Sequence, residues 1–321
     1  MARRSRSGGS KAGGIVLFLL GLFVGAGILY FLKPSAPRGG ETEPPAPARR
    51  QAPSRAEHRK PPADRLPSDR LPSDHVEPEA PAAVPAATET VTSAGPVHGA
   101  RIALVIDDLG HDVADLRPLE ELGVPVTYSV LPYEQQTPEV VAELRSRRAE
   151  ILLHLPMEPR NGENPGPGAL RQGMSDGELR QRTEEALKAV PGAVGVNNHM
   201  GSLLSAEEGP MTTVLGVLAE RGLFFLDSRT SADSVGYKVA LGLGVPAAER
   251  QVFLDGEATP EAIHAQFQRL LNVARTRGAA IAIGHPHPET LAALTREVPK
   301  AKAEGFELVP VSYLLTKSGG E

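Results

Sequence analysis

The stretch I-A-L-V-I-D-D-L-G at residues 102–110 joins five apolar residues to a pair of aspartates. A short apolar run rich in β-branched residues predicts a buried strand, here 102–106. Similar runs recur along the chain and predict seven further strands, at 124–130, 151–155, 193–196, 223–226, 252–254, 280–283 and 307–311.

Amphipathic segments separate these strands and predict helices at 138–148, 175–190, 260–277 and 288–303. Ser175 is placed as an N-cap, and Glu178 completes a capping box with it. Strands that alternate with helices predict a parallel α/β domain. The 222 residues from 100 to 321 suit one distorted or incomplete (β/α) barrel better than two small domains.

Three segments precede this domain. Residues 15–32 form an uncharged apolar run that predicts a transmembrane signal anchor, with a cleaved signal peptide as the alternative. Residues 1–14 carry four basic groups and no acid, so they are predicted to stay in the cytoplasm. Residues 33–99 hold 14 of the 30 prolines and read as a disordered linker. Gly21 and Gly25 have a spacing that allows a homodimer through the span.

Composition excludes several classes of function. The chain has no cysteine, so disulfides, thiolate metal sites and cysteine nucleophiles are absent. Residues 100–321 carry 21 basic and 30 acidic groups, a net charge of -9, which argues against nucleic acid as a partner. Any chemistry must therefore rest on His, Asp, Glu and Ser.

Polar residues follow one predicted strand after another. The carboxyl ends of barrel strands converge on one face, so these residues are expected to share a site. They are Asp107, Asp108, His154, Asn197, Asn198, His199, Asp227, Ser228, Arg229, Asp255, His285 and His287. Two imidazoles and a carboxylate are the usual donors for a catalytic divalent ion. One aspartate of the pair 107–108 can bind the ion while the other handles a proton. These are the parts of a metal-assisted amide or ester hydrolase.

These segments resemble those of the divergent polysaccharide deacetylase family, a branch of the metal-dependent carbohydrate esterases. The resembling segments are 102–110, 151–159, 195–202, 224–231, 252–255 and 282–291. The resemblance implies a distorted (β/α) barrel of the glycoside hydrolase/deacetylase type, over about residues 100–316. It also implies that Asp107 is the catalytic base, Asp108 a ligand of a divalent metal such as zinc, and His285 the general acid.

The chain departs from the wider superfamily at one metal ligand. Two ligand histidines are ordinarily spaced H-x-x-x-H, but here His154 is followed four residues later by Glu158. His199, at the end of the next strand, is the proposed replacement, with Glu158 as the second candidate. The remaining predicted contacts, to substrate or to the ligands, are Glu158, Asn198, Asp227, Arg229, Asp255 and His287.

Two functions are consistent with these observations. The first is a hydrolase, tethered to the inner membrane with its domain in the periplasm, that removes acetyl groups from an N-acetylated envelope polysaccharide. The second is a catalytically weak or inactive envelope protein that uses the same barrel to bind a glycan or an assembly partner. The altered ligand spacing and the 4% aromatic content keep the second alternative open.

Overall fold

The structure is a computed structural model that describes residues 99–316. The predicted basic segment, the predicted span at 15–32 and nearly all of the predicted linker lie outside the described residues. Within 99–316, no helix combines the length and the apolar character needed to cross a membrane.

Nine parallel strands form one sheet within the described residues. They are β1 (Arg101–Leu109), β2 (Thr127–Val130), β3 (Glu150–Met157), β4 (Gly195–Met200), β5 (Phe224–Asp227), β6 (Ala247–Glu249), β7 (Val252–Phe253), β8 (Ala279–Gly284) and β9 (Glu307–Leu308). Their spatial order is β6-β5-β4-β3-β2-β1-β8-β7, and β9 pairs with the start of β1. The predicted parallel α/β class is confirmed.

A two-residue segment of the chain joins the two edge strands of this sheet. Strands β6 and β7 lie at opposite ends of the order, yet only Arg250 and Gln251 separate them in sequence. The Arg250 amide donates to Asp227 O of β5, and the Gln251 amide donates to Ile281 O of β8, both at 3.0 Å. Two consecutive residues therefore bridge the ends, and the sheet forms an incomplete barrel with a seam at this point.

Seven helices accompany the strands in the described part of the chain. They are α1 (Leu116–Glu121), α2 (Thr137–Ser146), α3 (Asp176–Ala189), α4 (Glu208–Arg221), α5 (Gly236–Gly242), α6 (Pro260–Arg277) and α7 (Pro288–Ala303). Helices α6 and α7 have the predicted bounds, and the capping box of Ser175 and Glu178 is present. Strand β6 and helices α1, α4 and α5 were not predicted. The predicted strand at 307–311 ends at Leu308, and a 3-10 helix begins at Val311.

Apolar side chains pack on both faces of the sheet. The larger cluster joins the outer face to the helices, and it contains Phe225, Phe267 and Leu294. The smaller cluster fills the inside of the barrel and contains Val105, Leu152, Leu226, Ile283 and Val311, among others. Burial of this many aliphatic side chains is the main stabilising contribution to such a fold. It also gives the site a rigid base.

Candidate metal centre

The site forms a polar layer above the inner apolar cluster. Side chains two residues apart on a strand share a face, so the positions that follow the inner cluster also point into the barrel. Val105, Leu152, Leu226 and Ile283 belong to that cluster. Two positions farther along come Asp107, His154, Ser228 and His285. The strand pattern thus places carboxylate, hydroxyl and imidazole groups at one end of the barrel.

The two aspartates of the pair point differently because β1 is irregular there. The β1–β2 register shifts between Ile106 and Leu109. Asp108 has a φ of 57°, in the left-handed region that aspartate tolerates better than most residues. Asp107 is buried, whereas 31% of the Asp108 side chain is exposed. Backbone strain of this kind is typical of functional sites.

Asp108, His154 and His199 bring three donor atoms around one point. Asp108 Oδ1 lies 3.1 Å from His154 Nε2 and 2.9 Å from His199 Nδ1, and the two nitrogens are 3.2 Å apart. Ligands held at about 2.0–2.1 Å around a tetrahedral zinc ion would be about 3.3 Å apart. Asp108 Oδ1 is buried and receives no hydrogen bond of acceptable geometry from the described residues. A divalent cation would satisfy that oxygen, so the donor set fits one.

Asn197 fixes the orientation of the His154 ring. Its Nδ2 donates to Asp107 Oδ1 at 2.8 Å, so its Oδ1 must face His154 Nδ1, which lies 3.0 Å away. The same Oδ1 accepts a 2.6 Å hydrogen bond from Ser129 Oγ. An amide oxygen can only accept, so Nδ1 carries the proton. When the ring is neutral, Nε2 is therefore left with a free lone pair directed at Asp108 and His199.

The carboxylates and imidazoles of the cluster shift one another's pKa. Burial opposes ionisation of Asp108, but its contacts with His154 and His199 outweigh this and hold its pKa well below the usual range. Burial likewise lowers the pKa of His154, but the charges of Asp107 and Asp108 and the contact with Asp108 raise it overall. A cation that binds at Nε2 must displace a proton from His154. Cation affinity should therefore increase with pH.

His285 faces the cluster from β8 and is held by Asp255. His285 Nδ1 lies 3.0 Å from Asp255 Oδ1, and the His285 amide donates to Asp255 Oδ2 at 2.6 Å. Thr290 Oγ1 donates to the same Oδ2. Burial lowers the pKa of His285, but the contact with Asp255 and the nearby carboxylates outweigh it and raise the pKa to about 9. The protonated ring keeps its Nε2, 3.7 Å from Asp108 Oδ2, as a proton donor.

A cavity of about 190 Å³ opens beside Asp108 and His199. Residues 164–167 and Tyr133 also line it. Gly168 anchors this loop, since its φ is +75° and a Cβ there would lie 2.2 Å from the Tyr133 ring. Pockets that hold a whole ligand usually measure about 300–1,000 Å³. The cavity is therefore sized for one chemical group rather than for a sugar chain.

The other predicted contacts lie around the cluster and have structural partners. Glu158 Oε2 accepts from the Gln172 amide, and the Glu158 carboxylate is not part of the donor group. Asn198 points away from Asn197 and bonds to the Ser228 amide and to Thr230. Asp227 and Arg229, two other predicted contacts, hold the loop after β5.

Asp227 accepts hydrogen bonds from the Arg229 and Tyr237 amides and from Ser234 Oγ. Arg229 donates to Ser234 O and pairs with Glu249 at 3.4 Å. These contacts fix residues 228–237 against β5 and leave Asp227 outside the donor cluster. His287 is exposed, with its ring 5.6 Å from that of His285.

Sequence reasoning did not assign roles to Asn197 and Ser129. The signal for Asn197 was present, because Asn197 and His199 are two residues apart on β4 and must share a face, whereas Asn198 faces the other side. Ser129 gave no such signal, since a small hydroxyl in a short buried strand is usually a packing residue.

Comparison with known proteins gives a consistent result. Residues 104–315 match the model of the divergent polysaccharide deacetylase family. An uncharacterized protein of Haemophilus influenzae is 36% identical over 194 residues, which make up 60% of this chain and 69% of that protein. The uncharacterized protein YibQ of Escherichia coli is 35% identical over 222 residues, 69% of each chain.

A solved structure shares the architecture described above. The crystal structure of an uncharacterized protein from Agrobacterium tumefaciens C58 has a TM-score of 0.64 and 30% sequence identity, covering 68% of this chain and 89% of that one. The family match spans well over half of the sequence and includes every strand from β2 to β9. The chain therefore belongs to the divergent polysaccharide deacetylase family.

Proposed function

We propose that residues 100–321 form a metal-dependent hydrolase that removes acetyl groups from an N-acetylated polysaccharide of the cell envelope. The observation that carries this proposal is the convergence of Asp108, His154 and His199 on one point. Membership of the deacetylase family supports the reaction class. Two imidazoles and a carboxylate favour zinc among the common divalent ions.

Two further side chains flank the three donors. Asp107 Oδ2 lies 3.6 Å from His154 Nε2, and His285 Nε2 approaches Asp108 from the β8 side. Asp108, His154 and His199 would hold a divalent cation, which would supply Lewis-acid chemistry to an amide carbonyl and to water. Asp107, whose Oδ1 is held by Asn197, would accept a proton at Oδ2 from the water whose oxygen bonds to the amide carbon. His285, with its ring held by Asp255, would donate a proton to the amide nitrogen as the carbon–nitrogen bond breaks, which leaves acetate and a free amine.

The position of His199 favours catalysis over binding alone. The sequence lacks the second histidine of the H-x-x-x-H spacing, and this absence was one of the two reasons to consider an inactive protein, together with the low aromatic content. In the structure, Pro156 of β3 pairs with His199 of β4, so the His199 ring reaches the point that His154 faces. A full set of three donors is therefore present without Glu158.

Acetate release tests the proposal directly. The full chain, purified in detergent with its N-terminal segment, should release acetate from N-acetylglucosamine oligomers, and a chelator should abolish this release. Re-addition of Zn²⁺ should restore it. Binding of the oligomer without any acetate release, in the presence of a bound cation, would instead support the non-catalytic alternative.

Loss of the Asp255 carboxylate is expected to move the alkaline limit of activity to lower pH. His285 must be protonated to donate, and Asp255 is the largest contributor to its raised pKa of about 9. Activity should therefore fall as the pH rises through the pKa of His285 in the wild type, and at lower pH in Asp255→Asn. A pH–rate profile of both proteins measures this. An unchanged alkaline limb would show that His285 is not the acid.

We further propose that residues 15–32 anchor the chain in the inner membrane as a single span, with the catalytic domain in the periplasm. The apolar run, the basic residues before it and the proline-rich stretch after it support this arrangement. Envelope polysaccharide would then lie within reach of the domain. A reporter fused after Glu321 that is active only outside the cytoplasm should be active, and an inactive, stably produced fusion would refute the orientation.

A further inference from the structure

A second and larger cleft lies at the seam of the barrel, beside the bridging residues Arg250 and Gln251. Its volume is about 560 Å³, and its lining includes Arg229, Arg250, Phe253, Gln266 and Arg269. Glu257 is the acidic residue in that lining. The cleft is therefore locally basic in a domain whose net charge is -9. Local charge of this kind, rather than net charge, determines which ligands a cleft attracts.

Two of these arginines have no carboxylate partner in the described part of the chain. Arg229 pairs with Glu249, but within residues 99–316 no carboxylate lies within ion-pair distance of Arg250 or Arg269. Arg250 instead donates from Nε to Ser228 O at 2.6 Å and from Nη2 to Arg229 O at 2.8 Å. Carbonyl contacts orient this guanidinium but do not neutralise it.

Arg250 retains its charge in spite of partial burial. Burial lowers the pKa of Arg250 to about 10, so the group is still protonated at neutral pH. The charges of Asp107 and Asp227 offset part of the effect of burial, although neither carboxylate forms an ion pair with Arg250. An anion in the cleft would offset it further. Its planar set of donors suits the paired oxygens of a carboxylate or a phosphate.

Phe253 connects the cleft to the catalytic side chains. Its ring lies edge-on to the His285 ring with centroids 5.5 Å apart, and the Arg250 guanidinium lies 4.8 Å above the same ring. One aromatic side chain therefore separates the proposed proton donor from the unpaired cation. A polymeric substrate bound beside His285 could therefore also contact this cleft.

We propose that the seam cleft, defined by Arg250, Phe253 and Arg269, binds an anionic group carried by the polysaccharide substrate. This inference rests on the proposed function and narrows it, because it makes the substrate an N-acetylated glycan that bears carboxylate or phosphate groups. Arg250 and Arg269 pair with the anion, and Phe253 supports the adjoining sugar. Neutral N-acetylglucosamine polymers would then still bind, but about tenfold more weakly than anionic ones.

Direct binding tests the inference independently of turnover. The full chain in detergent is titrated with four probes of equal length: a neutral N-acetylglucosamine oligomer, a muramic-acid-containing oligomer with free carboxylates, the same oligomer with its carboxylates amidated, and a phosphorylated N-acetylglucosamine oligomer. The variants are Arg250→Gln and Arg269→Ala. Arg277→Ala is the matched control, since Arg277 lies exposed at the end of the same helix as Arg269.

We expect an anionic probe to bind about tenfold more tightly than the amidated or neutral probe. Added salt should reduce this preference, and Arg250→Gln and Arg269→Ala should each reduce it, whereas Arg277→Ala should not. The carboxylate and phosphate probes identify which anion is the source. Equal affinity for all four probes, or a preference that survives in Arg269→Ala, whose exposed side chain is not needed for folding, would overturn the inference. Acetate release from a neutral oligomer with equal affinities would leave the proposed function standing without it.

Discussion

Replacement of Asp107 by asparagine is expected to lower the rate of acetate release by about 10²–10⁴-fold, the range for loss of a general base. The introduced amide would keep an oxygen that can accept from Asn197 but could not take a proton from water. Because Asp107 is not one of the three converging donors, the bound cation should remain. Turnover and cation content of the same preparation measure the two effects separately.

Asp112→Asn provides the matched control for this substitution. Asp112 is exposed and caps the 3-10 helix at Val113–Asp115 through the Ala114 amide, a role that asparagine also fills. Its rate should remain close to that of the wild type. If Asp107→Asn retains the wild-type rate, Asp107 is not the base. If it loses the cation as well, Asp107 acts as a ligand.

Replacement of Asn197 by leucine is expected to weaken cation binding by about 10–100-fold, the usual cost of losing a partner that orients a ligand. The substitution removes the acceptor of His154 Nδ1 and the donor to Asp107 together. The imidazole would then be free to adopt either tautomer or to rotate. Competition for Zn²⁺ with a chelating dye measures the affinity.

Substitution of the neighbouring residue, Asn198, is the control for Asn197→Leu. Asn198→Ala removes an amide from the same strand, but on the face that bonds to Ser228 and Thr230. It should change cation affinity far less than Asn197→Leu, although it loosens the loop after β5. Equal losses in the two variants would mean that general disorder at the end of β4, rather than the ring of His154, controls binding.

The sequence predicted which end of the barrel carries the site, but it did not predict every contact of the side chains there. The carboxyl ends of parallel strands must converge, so polar residues after each apolar run were enough to place Asp107, His154, His199 and His285 together. The position of Asp227 after a predicted strand did not show whether its side chain faces the site. It lies one residue after Leu226 of the inner cluster, so it points outward and binds the start of α5 instead of the site.

The seam between β6 and β7 could not be predicted from the sequence, for a different reason. Strand β6 has the sequence Ala-Ala-Glu, which is too short and too poor in β-branched residues to be predicted as a strand. Without β6, nothing indicates that Arg250 lies at the junction of the two ends of the sheet. The unpaired charge of Arg250 is a consequence of barrel closure, which depends on contacts between distant segments.

The measurement that tests the account most directly is the cation content of the full chain and two variants. Each protein is stripped with a chelator, titrated with Zn²⁺, desalted and assayed for metal. We predict one equivalent in the wild type and in Glu158→Gln, which keeps an acceptor for the Gln172 amide, and no retained cation in His199→Ala. The absence of a stoichiometric cation from the wild type, or its retention in His199→Ala with loss in Glu158→Gln, would contradict the proposed centre.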